Sequence, residues 1–171
     1  MLEKILHAYD IAAKSSCSHL VVLEDTGTGL YSPGIFTKYI SKALREYVEI
    51  AHKYGKKILV HSFGLLNNLI ENFVKTGIDG ITGMTPFPTG NINFLDVRKR
   101  IGRDVILTEG IDTTVITGVN KNYLEKEVLN LIRDMKPYGN FILGCGDAMP
   151  ANTPIENLEL AYTLVEKYGN Y

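Results

Sequence analysis

Lys57-Ile58-Leu59-Val60-His61 and Phe141-Ile142-Leu143-Gly144-Cys145 decide the fold. Each is a short apolar run that ends in a chemically active side chain. Three more such runs lie along the chain: 19–24 (His19-Leu20-Val21-Val22-Leu23-Glu24), 79–83 (Asp79-Gly80-Ile81-Thr82-Gly83) and 104–108 (Asp104-Val105-Ile106-Leu107-Thr108). Strands apolar on both faces are those of parallel sheets covered by helices. Segments of helical period separate them. The clearest is 33–54, with Ile35, Phe36, Tyr39, Ile40, Ala43, Leu44, Tyr47, Val48 and Ala51 on one stripe. Ser32 caps it, Pro33 starts it and Gly55 stops it.

The remaining helices are expected near 2–15, 65–76, 93–101 and 121–136. A last one starts at Thr153-Pro154 and ends near 167, with Thr153 as cap and Glu156 as its first-turn carboxylate. Five strands, each followed by a helix, give an α/β domain of parallel βα units over 1–171. Five units do not close an eight-stranded barrel. The pattern therefore fits an open doubly wound sheet or part of a barrel.

A chain of 171 residues, 45% apolar and 22% charged, has the composition of one globular domain with a real core. The formal net charge of −1 and the lack of a basic stripe argue against nucleic acid as a partner. No apolar stretch approaches the roughly 18 residues of a membrane span. The start, Met1 to His7, is too charged for a signal peptide, so a cytoplasmic location is expected. Two cysteines, Cys17 and Cys145, make no disulfide framework in a chain of this length.

The C-terminal ends of the strands carry Glu24 and Asp25, His61, Thr85, Glu109 and Asp112, then Cys145 and Asp147. In parallel sheets and barrels that rim is where ligands bind. His61 and Cys145 are the best metal pair, with Glu24 or Glu109 as third donors. Glu109 and Asp112 are candidates for a general acid/base pair, with Glu24 as a further catalytic carboxyl. Asp25, Thr85 and Asp147 are candidate substrate contacts. Each has a plainer alternative: a core histidine, a small buried thiol, a capping aspartate, an Asx turn. The loop Thr26-Gly27-Thr28-Gly29 lacks the spacing of a nucleotide-binding motif. The loop from Met84 to Asn91 is either a pocket wall or a rigid connection.

Four stretches carry a family resemblance. They are Glu24-Asp25-Thr26 through Leu30-Tyr31-Ser32-Pro33 with Phe36; Val60-His61-Ser62-Phe63-Gly64; Gly110-Ile111-Asp112; and Gly144-Cys145-Gly146 with Pro150, Thr153-Pro154, Glu156-Asn157 and the ending Tyr168-Gly169-Asn170-Tyr171. In order and spacing they resemble the uroporphyrinogen decarboxylase superfamily, and within it the corrinoid-linked methyltransferases that act on methylcobamide and coenzyme M. The resemblance implies the C-terminal portion of a TIM (β/α)8 barrel. The absent N-terminal half is where the decarboxylases carry the arginine- and aspartate-bearing segments used on porphyrinogen carboxylates.

The methyltransferases bind zinc through a His-x-Cys pair and a distant cysteine. Here His61 and Cys145 match the first and last ligands, while Phe63 stands at the middle one. What the resemblance implies is a corrinoid-dependent methyltransferase-type enzyme. Zinc would activate a small thiol, a corrinoid protein would donate the methyl group, and Asp112 would orient substrate or a ligand. The alternatives are a catalytically impaired half-barrel binding subunit and a metal-free lyase using Glu109 and Asp112. Strands at both edges of a half-barrel would be exposed, so self-association or a separate N-terminal half is expected.

Overall fold

The computed structural model describes residues 2–24 and 26–170. Five strands, β1 (His19–Leu23), β2 (Lys57–His61), β3 (Gly80–Thr82), β4 (Ile106–Ile111) and β5 (Phe141–Cys145), form one sheet in chain order, every pair parallel. Helix α1 (Leu2–Ala13) precedes β1. A continuous helical stretch follows it: α2 (Pro33–Ile35), a π-helical turn (Phe36–Ile40) and α3 (Ser41–Lys53). After these come α4 (Ile70–Val74), α5 (Phe94–Ile101), α6 (Thr113–Thr117), α7 (Lys121–Met135) and α8 (Ile155–Tyr168).

Strand order separates the two architectures left open by the sequence. A doubly wound sheet reverses direction at a switch point and carries helices on both faces. Here the order runs straight from β1 to β5, and one face takes the helices. Leu20, Val22, Ile58, Val60, Ile81 and Leu107 all join the core built with Leu44, Tyr47, Val48, Phe73, Phe94 and Val97. The opposite face carries Val21, Leu23, Leu59 and Ile142. Leu59, in a central strand, is only 8% exposed, but Val21, Leu23 and Ile142 on the two edge strands are 44%, 78% and 62% exposed. One covered face and one inner face whose margins lie open are the marks of a barrel segment.

The local reasons for the helices are readable. The Ser32 side chain accepts from the Ile35 N–H at 3.3 Å, with Pro33 behind it. Asn93 accepts from Asp96 N–H at 3.0 Å and Asn120 from Tyr123 N–H at 3.1 Å; neither cap is anticipated above. Helix α6 is also unanticipated, and α4 is much shorter than 65–76. The Thr153 hydroxyl does not cap α8. It donates to the Pro150 carbonyl at 2.8 Å, and Pro154 takes the cap position without a side-chain bond. Tyr9 of α1 stacks on Tyr47 of α3 with ring centroids 4.5 Å apart. No helix among the described residues is long and apolar enough to cross a membrane.

At the N-terminal end of the sheet the fully buried Arg98 holds three peptide carbonyls. Its Nη1 donates to Gly102 (2.9 Å) and Val105 (2.8 Å), and its Nη2 to Asn140 (2.8 Å). It thereby fastens α5 to the entries of β4 and β5. Arg98→Met keeps the bulk and strips the donors, so it should cost about 3 kcal/mol through desolvated carbonyls. Urea unfolding should show a lower midpoint at unchanged slope; an unmoved midpoint would remove Arg98 from this role.

Candidate active site

The rim at the C-terminal ends of the strands is tied together by side chains from neighbouring strands. Alternation would send Glu109 to the helix-covered face, because Leu107 two residues earlier is buried there. Instead Glu109 has φ 80°. This left-handed backbone costs a non-glycine residue of the order of 1 kcal/mol or more and persists only where its surroundings hold it. Two donors from the end of β3 hold it: Glu109 Oε1 accepts from Thr82 Oγ1 at 3.0 Å, and Oε2 accepts from the Gly83 N–H. On its other side Thr82 Oγ1 lies 3.0 Å from His61 Nδ1. His61, Thr82 and Glu109, from three successive strands, form one hydrogen-bonded array.

Gly83 makes the array possible. Its φ is 83°, and a Cβ there would lie 2.5 Å from the Ser62 carbonyl oxygen and 2.9 Å from His61 Cε1. Burial pushes the Glu109 carboxyl above its ordinary range, and nearby Asp147 adds to the push. The bonds from Thr82 and Gly83 and the proximity of His61 offset it only in part.

The other rim residues fall outside this array. Glu24 continues the alternation of Leu20 and Val22 on the helix-covered side. Burial raises its pKa, and its charge acts on Tyr9 and Tyr47. Tyr9 is pushed up to about 12 by burial, then by Tyr47 and Glu24. Asp25 lies outside the described residues. Thr85 is buried, its hydroxyl finds no partner among the described residues, and Gly90 and Gly146 close on it. Asp147 is exposed and accepts from the Ala148 N–H at 2.6 Å.

Asp112 is a latch. One oxygen accepts from Thr114 N–H (2.8 Å) and Thr114 Oγ1 (2.6 Å), the other from Thr89 N–H (3.1 Å) and Thr89 Oγ1 (2.6 Å). Those four bonds fill a carboxylate's acceptor sites. Asp112 therefore caps α6 and ties Thr89 of the 84–91 loop to it. Its carboxylate is thus engaged by Thr89 and Thr114 and not by Glu109. Ser62 and Thr26 make a second buried latch, with their hydroxyl oxygens 3.0 Å apart, and Asn157 ties α8 to the Ile116 and Gly118 carbonyls at 2.8 Å.

His61 and Cys145 fall on different faces of the sheet. Cys145 pairs in register with Ile111 and packs in the apolar cluster of Ile111, Ile116, Leu124, Val128, Ala161 and Leu164, on the helix side. His61 belongs to the other face, with Thr82. Burial raises the Cys145 thiol, and the carboxylates of Glu109, Asp112 and Asp147 raise it further, against one bond from the Asp147 backbone. Among the described residues no three His, Cys, Asp or Glu side chains gather closely enough to hold an ion, and Phe63, 41% exposed, brings no donor atom. The donor set does not fit zinc.

A family model described as uroporphyrinogen decarboxylase (URO-D) matches residues 2–168. The chain belongs to the uroporphyrinogen decarboxylase family. A uroporphyrinogen decarboxylase from Orientia tsutsugamushi (strain Boryong) is 23% identical over 178 residues, covering 97% of this chain and 50% of that protein. Among solved structures, a methyltransferase from Methanosarcina mazei superposes with a TM-score of 0.76 at 14% identity, covering 96% of this chain and 48% of that one. At that identity the likeness is one of fold. The chain spans about half the length of both of these family and fold relatives, in keeping with the barrel segment described above.

Asp112 supplies a pH signature. Burial raises its carboxyl, but the bonds from Thr114 and Thr89 outweigh this and hold it below its ordinary value. A lowered folded-state pKa stabilises at neutral pH and is lost as pH falls through that value. Asp112→Asn should therefore cost about 2 kcal/mol at neutral pH, and the gap to the parent should narrow below about pH 4. Chemical denaturation at several pH values checks this; a gap independent of pH would refute the charged latch.

Proposed function

We propose that this chain supplies the acid–base half of a decarboxylase-type lyase, in which His61 and Glu109 move a proton at the mouth of a barrel. The observation that carries the reading is the His61–Thr82–Glu109 array, with its strained Glu109 backbone. Burial of the Glu109 carboxyl favours its neutral form, which suits it to taking up a proton and returning it in acid–base work. The rim groups described above are carboxyls, hydroxyls, one imidazole and one thiol, none of them cationic beyond the imidazole. Cationic partners for a carboxylate-bearing substrate would come from the units that close the barrel.

Closure follows from the same sheet. β1 and β5 each have one neighbour, and Val21, Leu23 and Ile142 lie exposed beside them. Exposed apolar edges pair. A separate N-terminal half would bring the family's barrel from five strands to eight, whereas a second copy would bring it to ten. The eight-strand count favours closure by the family's remaining units over closure by a second copy.

The second reading is methyl transfer from a corrinoid protein to a small thiol. The fold likeness to the Methanosarcina mazei methyltransferase supports it, as do His61 and Cys145 at the matching positions. Phe63 and the helix-side placement of Cys145 weigh against it.

The two readings part in one experiment. The chain is mixed with a separately produced N-terminal half of a uroporphyrinogen decarboxylase. Carbon dioxide release from uroporphyrinogen and methylation of coenzyme M by methylcobalamin are then followed in parallel. The expected result is decarboxylation that falls by about 100-fold or more in Glu109→Gln, with thiol methylation at background. Methylation that depends on Cys145, or decarboxylation indifferent to Glu109→Gln, would overturn the reading.

A further inference from the structure

The array has a direction set by the number of its protons. The Gly83 N–H can only donate, so Glu109 Oε2 must accept. An ionised Glu109 has no proton to give, so its Oε1 accepts from Thr82. Thr82 has one hydroxyl proton, and that bond uses it. The contact between Thr82 Oγ1 and His61 Nδ1 is then a hydrogen bond only if Nδ1 carries the proton. Nε2 is left bare, and it has no hydrogen-bond partner among the described residues.

We infer that Thr82 is the positioning residue that fixes His61 as its Nδ1–H tautomer, making Nε2 the proton-accepting atom and Glu109 the proton store. Its role in catalysis rests on the acid–base reading above; the tautomer itself rests on hydrogen bonding alone. When Nε2 takes a proton, the substrate's bond to hydrogen breaks, the substrate keeps the electron pair and an Nε2–H bond forms. The Nδ1 proton passes to Thr82 Oγ1, and the former Thr82 hydroxyl proton passes to Glu109 Oε1. His61 ends with its proton on Nε2, and Glu109 ends neutral. The reverse sequence delivers a proton to a carbanion, the species that loss of carbon dioxide leaves. Burial at Glu109 favours its neutral form and so suits it to the storing end.

Nitrogen-15 correlation spectra of the free 171-residue chain read the tautomer directly. They are taken at about pH 8.5, above the ordinary imidazole range. Signals of His61 are assigned by their loss in His61→Asn. The expected spectrum has a protonated Nδ1 and a bare Nε2. Glu109→Gln should reverse it. The Gly83 N–H claims the amide oxygen, so the amide NH2 faces Thr82 and donates to it, and the Thr82 hydroxyl then turns to His61 Nδ1. Thr82→Ser should keep the parent tautomer and Thr82→Val should lose the preference. Should Thr82→Val fail to fold, Glu109→Gln and Thr82→Ser still decide. A parent protein protonated on Nε2, or a tautomer unchanged by Glu109→Gln, would overturn the inference. Neither result bears on decarboxylation, which the activity comparison judges separately.

Discussion

Parallel pairing in chain order is the constraint from which everything else follows. Each strand enters at one end of the sheet and leaves at the other, so all five C-terminal ends share a rim. The helices return on one face and bury Val22, Ile58, Val60, Ile81 and Leu107 there. The opposite face is left to the barrel interior. The two ends of the sheet then divide their duties. The entry end is held by Arg98 on three carbonyls and by Asp79, which accepts from Lys57 and from the Ile58 N–H. The exit end is held by short polar latches that leave an imidazole and a carboxyl in contact through one hydroxyl.

That exit end is built against local preference. Regular β-alternation would turn Glu109 into the helix layer. The left-handed turn of its backbone brings the carboxylate over β3 instead, where Thr82 and the Gly83 N–H receive it. Gly83 answers with its own positive φ and the missing Cβ that lets β2 and β3 approach. Strain at one strand end and permissiveness at its neighbour are a matched pair. Such strain belongs at functional sites, where the surrounding bonds over-determine it.

The strands were legible because fully covered β-strands are short apolar runs, and the helix from Pro33 was legible because Ser32-Pro33 and Gly55 bracket a clean apolar stripe. The rim residues were legible as a set, since strand ends can be counted. Their grouping was not. The bonds from Thr82 to Glu109, from Thr89 to Asp112 and from Thr26 to Ser62 span 27, 23 and 36 residues of sequence and leave no local pattern. The face of Cys145 was readable in principle, because Ile142 and Gly144 alternate with Leu143 and Cys145. It required knowing that the strand runs unbroken to Cys145. The fourth apolar run reads as ending at Thr108, whereas β4 continues through Glu109 to Ile111.

Two side chains that the sequence pairs as metal ligands thus lie on different faces. His61 bonds with Thr82 and through it with Glu109 on the inner face, and Cys145, its thiol pushed up by burial, packs against the helix-side cluster. A chain of the uroporphyrinogen decarboxylase family thus keeps the fold shared with a methyltransferase while its rim holds an imidazole and a carboxyl joined through one hydroxyl. The most direct test is zinc per chain, measured by elemental mass spectrometry on protein purified without chelator, with Cys145→Ala alongside. The account predicts far less than one zinc per chain and no difference in the variant. One zinc per chain that disappears with Cys145→Ala would contradict it.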